Sequence, residues 1–159
     1  MAKKLEDVIS ENLTDMIDIC MEYVEYRAEA KKIFVYVSAE QNRIMPSGFM
    51  QIHDRILDMG TVNQGLKPGE KPYDINPNVQ LEVGRILYED FAKIMKACKE
   101  FGRAVPKEIR AVYDCQTKKF SAHLGYDNVW SIRSNVGPKD IMREWMEEEQ
   151  RKLDLGLSQ

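Results

Sequence analysis

Two histidines, His53 and His123, and three cysteines, Cys20, Cys98 and Cys115, are the side chains best suited to act as general base, nucleophile or metal ligand. Their spacing supports none of these roles. There is no Cys-x-x-Cys pair, and no histidine stands near a cysteine at ligand spacing. His-Glu-x-x-His, the Gly-x-Ser-x-Gly elbow, the phosphate-cradling Gly-x-x-x-x-Gly-Lys and the dinucleotide fingerprint are also missing. The cysteines therefore read as small buried hydrophobes in a reducing compartment. His53 precedes Asp54 between two short apolar runs, which makes it a turn residue. His123 alternates with Leu124 in a strand, which points it away from the apolar face. No catalytic residue, cofactor-binding residue or metal site is expected, and the chain is not expected to be an enzyme.

Carboxylates are the chemical class with a pattern. Asp7, Glu11, Asp15, Asp18, Glu22 and Glu25 step by three and four, and at about 100° per residue they fall within an arc of roughly 80° on one side of a helix. Leu5, Ile9, Leu13, Met16, Cys20 and Tyr23 line the opposite side, with Ile17 and Val24 widening the apolar stripe. From Leu5 to Tyr26 there is no Lys or Arg. Like charges at this spacing oppose the helix by a few tenths of a kcal/mol per pair, so the apolar face must outweigh them. Such a row is either a solvated outer face or a surface that offers negative charge to a basic protein. The net charge of −3 argues against a nucleic-acid binder held by phosphate neutralisation.

The elements that position this row are legible from periodicity. The hairpin Pro106 to Asp127 organises the chain: Ile109, Ala111, Tyr113 and Cys115 share one face of the first strand. Phe120, Ala122, Leu124 and Tyr126 share one face of the second, across a polar turn at residues 116–119. A two-stranded ribbon cannot bury that face alone, so helices and further strands must cover it. The first helix spans Leu5 to Tyr26. Lys32 to Ala39 reads as a strand covered on both faces. Pro46, Ser47 and Gly48 read as punctuation before two short strands, Phe49 to Ile52 and Arg55 to Met59. Residues 60–77 are rich in Gly, Pro, Asn and Lys and read as a mobile loop.

Asn76 and Pro77 start a second helix that runs to about Phe101, where Gly102 ends it. Gly84 within it reads as a close-packing position, at a cost of about 1 kcal/mol relative to Ala. Pro138 opens a third helix packing through Ile141, Met142, Trp145 and Met146, a face that suits a homodimer contact as well as a core. Trp130, in the connection before it, reads as an exposed binding aromatic. The expected fold is a single α+β domain over residues 1–159. In it an antiparallel sheet of about five strands, a three-stranded N-terminal unit plus the C-terminal hairpin, packs on two or three helices. No apolar run is long enough for a membrane span, and the start MAKKLEDVISEN lacks the apolar core of a secretory signal, so no membrane partner and a cytoplasmic location are expected.

Pro106, Glu108, Ile109, Tyr113-Asp114, Thr117, Ala122 and Tyr126-Asp127 in the hairpin, followed by Trp145, carry a resemblance. Together with IFVYVSAE (Ile33 to Glu40) and FMQIHDRIL (Phe49 to Leu57), they make the chain similar to the YezG-type immunity protein family, the antitoxins of bacterial polymorphic toxin systems. The likeness covers nearly the whole chain through fold-marking residues; the long loop and His53-Asp54, where an Asn-Gly turn is typical, depart from it. The resemblance implies a protein that binds the C-terminal domain of a cognate toxin, frequently a nuclease, and neutralises it by stoichiometric occlusion. Read with the acidic helix, it places the toxin-binding surface on Asp7, Glu11, Asp15, Asp18, Glu22 and Glu25, with Trp130. The alternative is a non-inhibitory intracellular adaptor or secretion chaperone that uses the same surface.

Overall fold

Ala30–Ser38 forms the central strand, β1, because its side chains are apolar on both faces: Ile33, Val35 and Val37 on one, Phe34 and Tyr36 on the other. The computed structural model describes residues 3–156, so residues 1, 2 and 157–159 of the expected domain lie outside the described residues. Around β1 the chain runs α1 (Leu5–Tyr23), β2 (Met45–Ile52), β3 (Arg55–Asp58), α2 (Pro77–Glu100), β4 (Glu108–Asp114), β5 (Phe120–Gly125) and α3 (Pro138–Asp154). The five strands form one sheet in the order β3-β2-β1-β4-β5, with every neighbouring pair antiparallel. This is the expected α+β architecture, with β1 rather than the hairpin at its centre.

The two faces of β1 build two cores. Ile33, Val35 and Val37, with Met50, Ile52, Ile109 and Ala111, pack under Leu13, Met16, Ile17 and Cys20 of α1 and Val83, Leu87, Phe91 and Ile94 of α2. Phe34, Tyr36 and Phe49 pack under Ile141 and Trp145 of α3. Phe34 stacks on Phe49 with ring centroids 4.6 Å apart, and Trp145 meets both edge-on at 5.5 and 4.9 Å. Sequence periodicity finds α3 but cannot say which face it covers; the aromatic parity of β1 and β2 decides it. Among the described residues no helix is long and apolar enough to cross a membrane.

Four expectations are corrected. β2 begins at Met45 and takes in Pro46, Ser47 and Gly48. Pro46 is tolerated because β3 pairs only with Phe49 to Ile52, so the first half of β2 has β1 on one side and no strand on the other. Gly48 is required there: a Cβ on it would lie 2.6 Å from the Cys20 sulfur, where α1 presses on the sheet. Gly84, by contrast, faces open space and packs against nothing. The helix α1 ends at Tyr23, and Glu25 and Tyr26 follow it in the left-handed region, at φ 57° and 54°. The segment 60–77 is anchored: Val62 and Tyr73 are buried. The Asn63 side chain both accepts from Tyr73 N at 2.7 Å and donates to its carbonyl at 3.1 Å, and Glu70 meets His53 Nε2 at 2.8 Å. His53 thus occupies its expected turn and also pins the loop.

The hairpin is only half covered. Ile109 and Ala111 on β4 are buried, but β5 is a sheet edge, and Phe120 and Tyr126 remain exposed, Phe120 with a groove open between it and α1. The other edge is closed by a side chain: Gln150 of α3 accepts from Ile56 N at 2.7 Å and donates to the Asp54 carbonyl at 3.0 Å.

Candidate protein-binding surface

The outer side of α1 is acidic over its whole length. Asp7, Glu11, Asp15, Asp18 and Glu22 are all exposed, because the buried side of the helix is taken up by Leu5, Leu13, Met16, Ile17, Cys20 and Tyr23. Glu25 lies past the helix end but stays beside Glu22 on the same rim. Cations from elsewhere in the chain reach part of this row. Lys3 Nζ meets Glu11 at 2.8 Å, with both side chains more than half exposed, and Arg27 approaches Glu25 at 3.8 Å. The exposed Lys3–Glu11 pair is loosened by salt and holds little charge in place, whereas Arg27 is largely buried and is also bound to Glu29. Asp7, Asp15, Asp18 and Glu22 have no cation within 4 Å among the described residues.

Two grooves flank the C-terminal half of α1. The first, about 400 Å³, lies against α2: Ile19, Tyr23, Val79 and Val83 are its apolar members, and Glu22, Glu25, Asp74 and Glu82 its carboxylates. Asp74 and Glu82 were missed by sequence reasoning because they sit far from α1 in the chain; the signal for them is only their nearness to the cap Asn76 and to the first turns of α2. Glu82 is paired with Arg85, which also reaches Glu89 at 2.5 Å. The negative field is felt inside: burial first, then the charges of Asp74 and Asp58, push the Tyr23 hydroxyl up to about 12. That hydroxyl stays a donor, at 2.6 Å to the Met59 carbonyl.

The second groove, about 310 Å³, lies against the hairpin and is lined by Thr14, Ile17, Asp18, Met21, Tyr26, Tyr113 and Phe120. The Tyr26 hydroxyl donates to Asp18 Oδ1 at 2.6 Å, and this bond, ahead of burial and the nearby charge, pushes the hydroxyl up to about 12. Elsewhere along the contact between the two helices, buried Asp90 of α2 faces Asp15 of α1. Burial, then the hydrogen bond and the charge of Asp15, push Asp90 up to about 7.

Trp130 does not belong to this surface. It is 7% exposed and donates Nε1–H to Ser38 Oγ at 3.0 Å, on the α3 side of the sheet. The loop carrying it is folded back by Glu40, whose carboxylate accepts from Val129 N at 2.8 Å, Trp130 N at 3.1 Å, Ser131 N at 3.2 Å and Ser131 Oγ at 2.6 Å. Burial opposes ionisation of Glu40, yet these four bonds outweigh it and hold the carboxyl below its ordinary value. The cysteines are free thiols, Cys20 and Cys98 buried and Cys115 half-buried, and burial pushes all three upward. Among the described residues no group of three or more His, Cys, Asp or Glu is arranged to hold a metal ion. No protein-family model matches the chain, and no curated protein matches it at a significant level.

Proposed function

We propose that this chain is an immunity protein that binds a cognate toxin domain, a nuclease by preference, and neutralises it by covering its substrate-binding surface. The observation that carries this reading is the continuity of the carboxylates: the exposed row on α1 reaches the rim of the α2 groove through Glu22 and Glu25, where Asp74 and Glu82 continue it. A nuclease holds phosphates with Lys and Arg, and a surface that presents carboxylates at comparable density competes for the same cations. The groove beside the row adds apolar area to the contact, as a specific interface needs more than charge. The resemblance of the hairpin and of Trp145 to the YezG-type family supports the same reading.

Co-expression with a toxin domain drawn from the genes neighbouring its own tests it. The wild-type chain should restore growth. A variant carrying Glu11→Gln, Asp15→Asn, Asp18→Asn and Glu22→Gln should associate with that domain about tenfold or more slowly at low salt, and nearly as fast as wild type in about 0.5 M salt. Unchanged association and protection would make the row a solvated face and move the interface elsewhere.

A further inference from the structure

The groove between α1 and the hairpin differs in kind from the acidic one. Its walls are apolar and aromatic, Ile17, Met21, Tyr26, Tyr113 and Phe120, and it has one carboxylate, Asp18. Two of those aromatics are left in water, Tyr26 at 56% and Phe120 at 41% exposed. Tyr26 is held there by a left-handed backbone that a bulky side chain seldom adopts, and by the bond from its hydroxyl to Asp18 Oδ1. Asp18 is thereby fixed at the groove mouth with its second oxygen free of donors among the described residues. Leu or Phe would fill the walls and leave the second Asp18 oxygen desolvated without a partner. Lys would satisfy Asp18 with a compact ammonium that gains little from flat rings. Arg alone offers an apolar stem for Met21 and Ile17, a planar cation that stacks on aromatic faces, and a fork of donors for a carboxylate.

We propose that this groove is an arginine socket, the point at which one arginine side chain of the partner protein anchors beside the acidic row. The proposal rests on the reading of α1 as a protein-binding face, and adds to it a residue-level specificity that diffuse charge does not provide. A single anchor seated in a preformed pocket is where a protein interface concentrates its affinity, while the surrounding carboxylates speed encounter.

The test uses small probes and the intact chain. N-acetyl-arginine N-methylamide, with the lysine and norleucine analogues, is titrated into protein carrying 13C-labelled methionine methyl groups, and the Met21 methyl signal is followed. The arginine amide should give a saturable shift, with at least about threefold weaker binding for the other two. Phe120→Ala and Asp18→Asn should each weaken the arginine response, while Glu147→Gln on α3, across the sheet, leaves it in place. Because Phe120 and Asp18 are exposed, unchanged melting temperatures show that these variants remain folded. Equal responses to all three probes, or no Met21 shift, would overturn the socket. An arginine response that survives Phe120→Ala and disappears in Glu22→Gln would also overturn it, by placing the cation in the α2 groove and leaving the binding-face reading intact. A working socket in a protein whose Glu11→Gln, Asp15→Asn, Glu22→Gln variant, with Asp18 kept, still binds the toxin at wild-type rate would instead remove the acidic-row reading.

Discussion

Asp90 on α2 and Asp15 on α1 meet as two carboxyl groups across the contact between the helices. Asp90 is only 2% exposed, and its Oδ2 receives no bond from any conventional donor among the described residues. Protonation resolves the conflict, since a neutral carboxyl can donate to the exposed Asp15. Lys93 of α2 counteracts the shift and Glu89 adds to it, but burial and Asp15 dominate.

The sign of the pH effect follows. Asp90 titrates at about 7 in the folded chain against an ordinary 3.8, so between those values the folded state holds a proton that the unfolded state has released. The stability this provides is complete below pH 4, declines as pH rises toward 7 and is gone above it. Asp90→Asn supplies a permanent donor for Asp15. It should flatten the dependence of the urea midpoint on pH between about 4 and 7, and raise stability at pH 8 by roughly 1–2 kcal/mol. A wild-type profile that is already flat across that window would remove the shared proton.

Gly48 and Gly84 predict opposite outcomes for the same substitution. Gly84→Ala adds a methyl group in open space on a helix and should stabilise by about 1 kcal/mol. Gly48→Ala drives a Cβ into the Cys20 sulfur and should cost about 2 kcal/mol. Adding Cys20→Ala to Gly48→Ala should recover part of that loss, a coupling that a double-mutant cycle of thermal unfolding measures directly.

Glu40 behaves in the reverse sense to Asp90. Its carboxyl is held below the ordinary value, so its contribution is present above that value and is lost as pH falls through the lowered one. Glu40→Gln should cost about 2 kcal/mol at neutral pH, because it removes the charge that four donors converge on. It should also shift Trp130 emission to the red as the loop at residues 129–131 loosens, a change that intrinsic fluorescence reads without a label.

How much of this was legible beforehand depends on the range of the deciding contact. The start of α2 was written in two adjacent residues, Asn76 accepting from Asn78 N and Pro77 at the first helical position, and the structure places both there. The shared faces of the hairpin, Ile109 and Ala111 on one strand and Ala122 and Leu124 on the other, followed from simple alternation; the register did not, because β4 ends at Asp114 and Tyr113, not Cys115, lies opposite Phe120. Trp130 was read as exposed because its loop is polar locally, whereas Ser38 and Glu40, about ninety positions earlier, bury it. The loop at 60–77 looked unstructured for the same reason: the Asn63 to Tyr73 pairing, the Glu70 contact to His53, the Arg27 guanidinium over Tyr73 and the burial of Val62 order it, and composition does not encode them. The acidic row on α1 was visible as a row, but its extension to Asp74 and Glu82 exists only once α2 lies beside α1.

The Glu40 carboxylate has a further effect on what the molecule can hold. Three successive backbone amides, at Val129, Trp130 and Ser131, converge as they do where proteins grip phosphate. The chain stoppers that cradle from within, using its own glutamate as the guest. With that seat already taken, the three amides have no donor left to offer an anion arriving from solution.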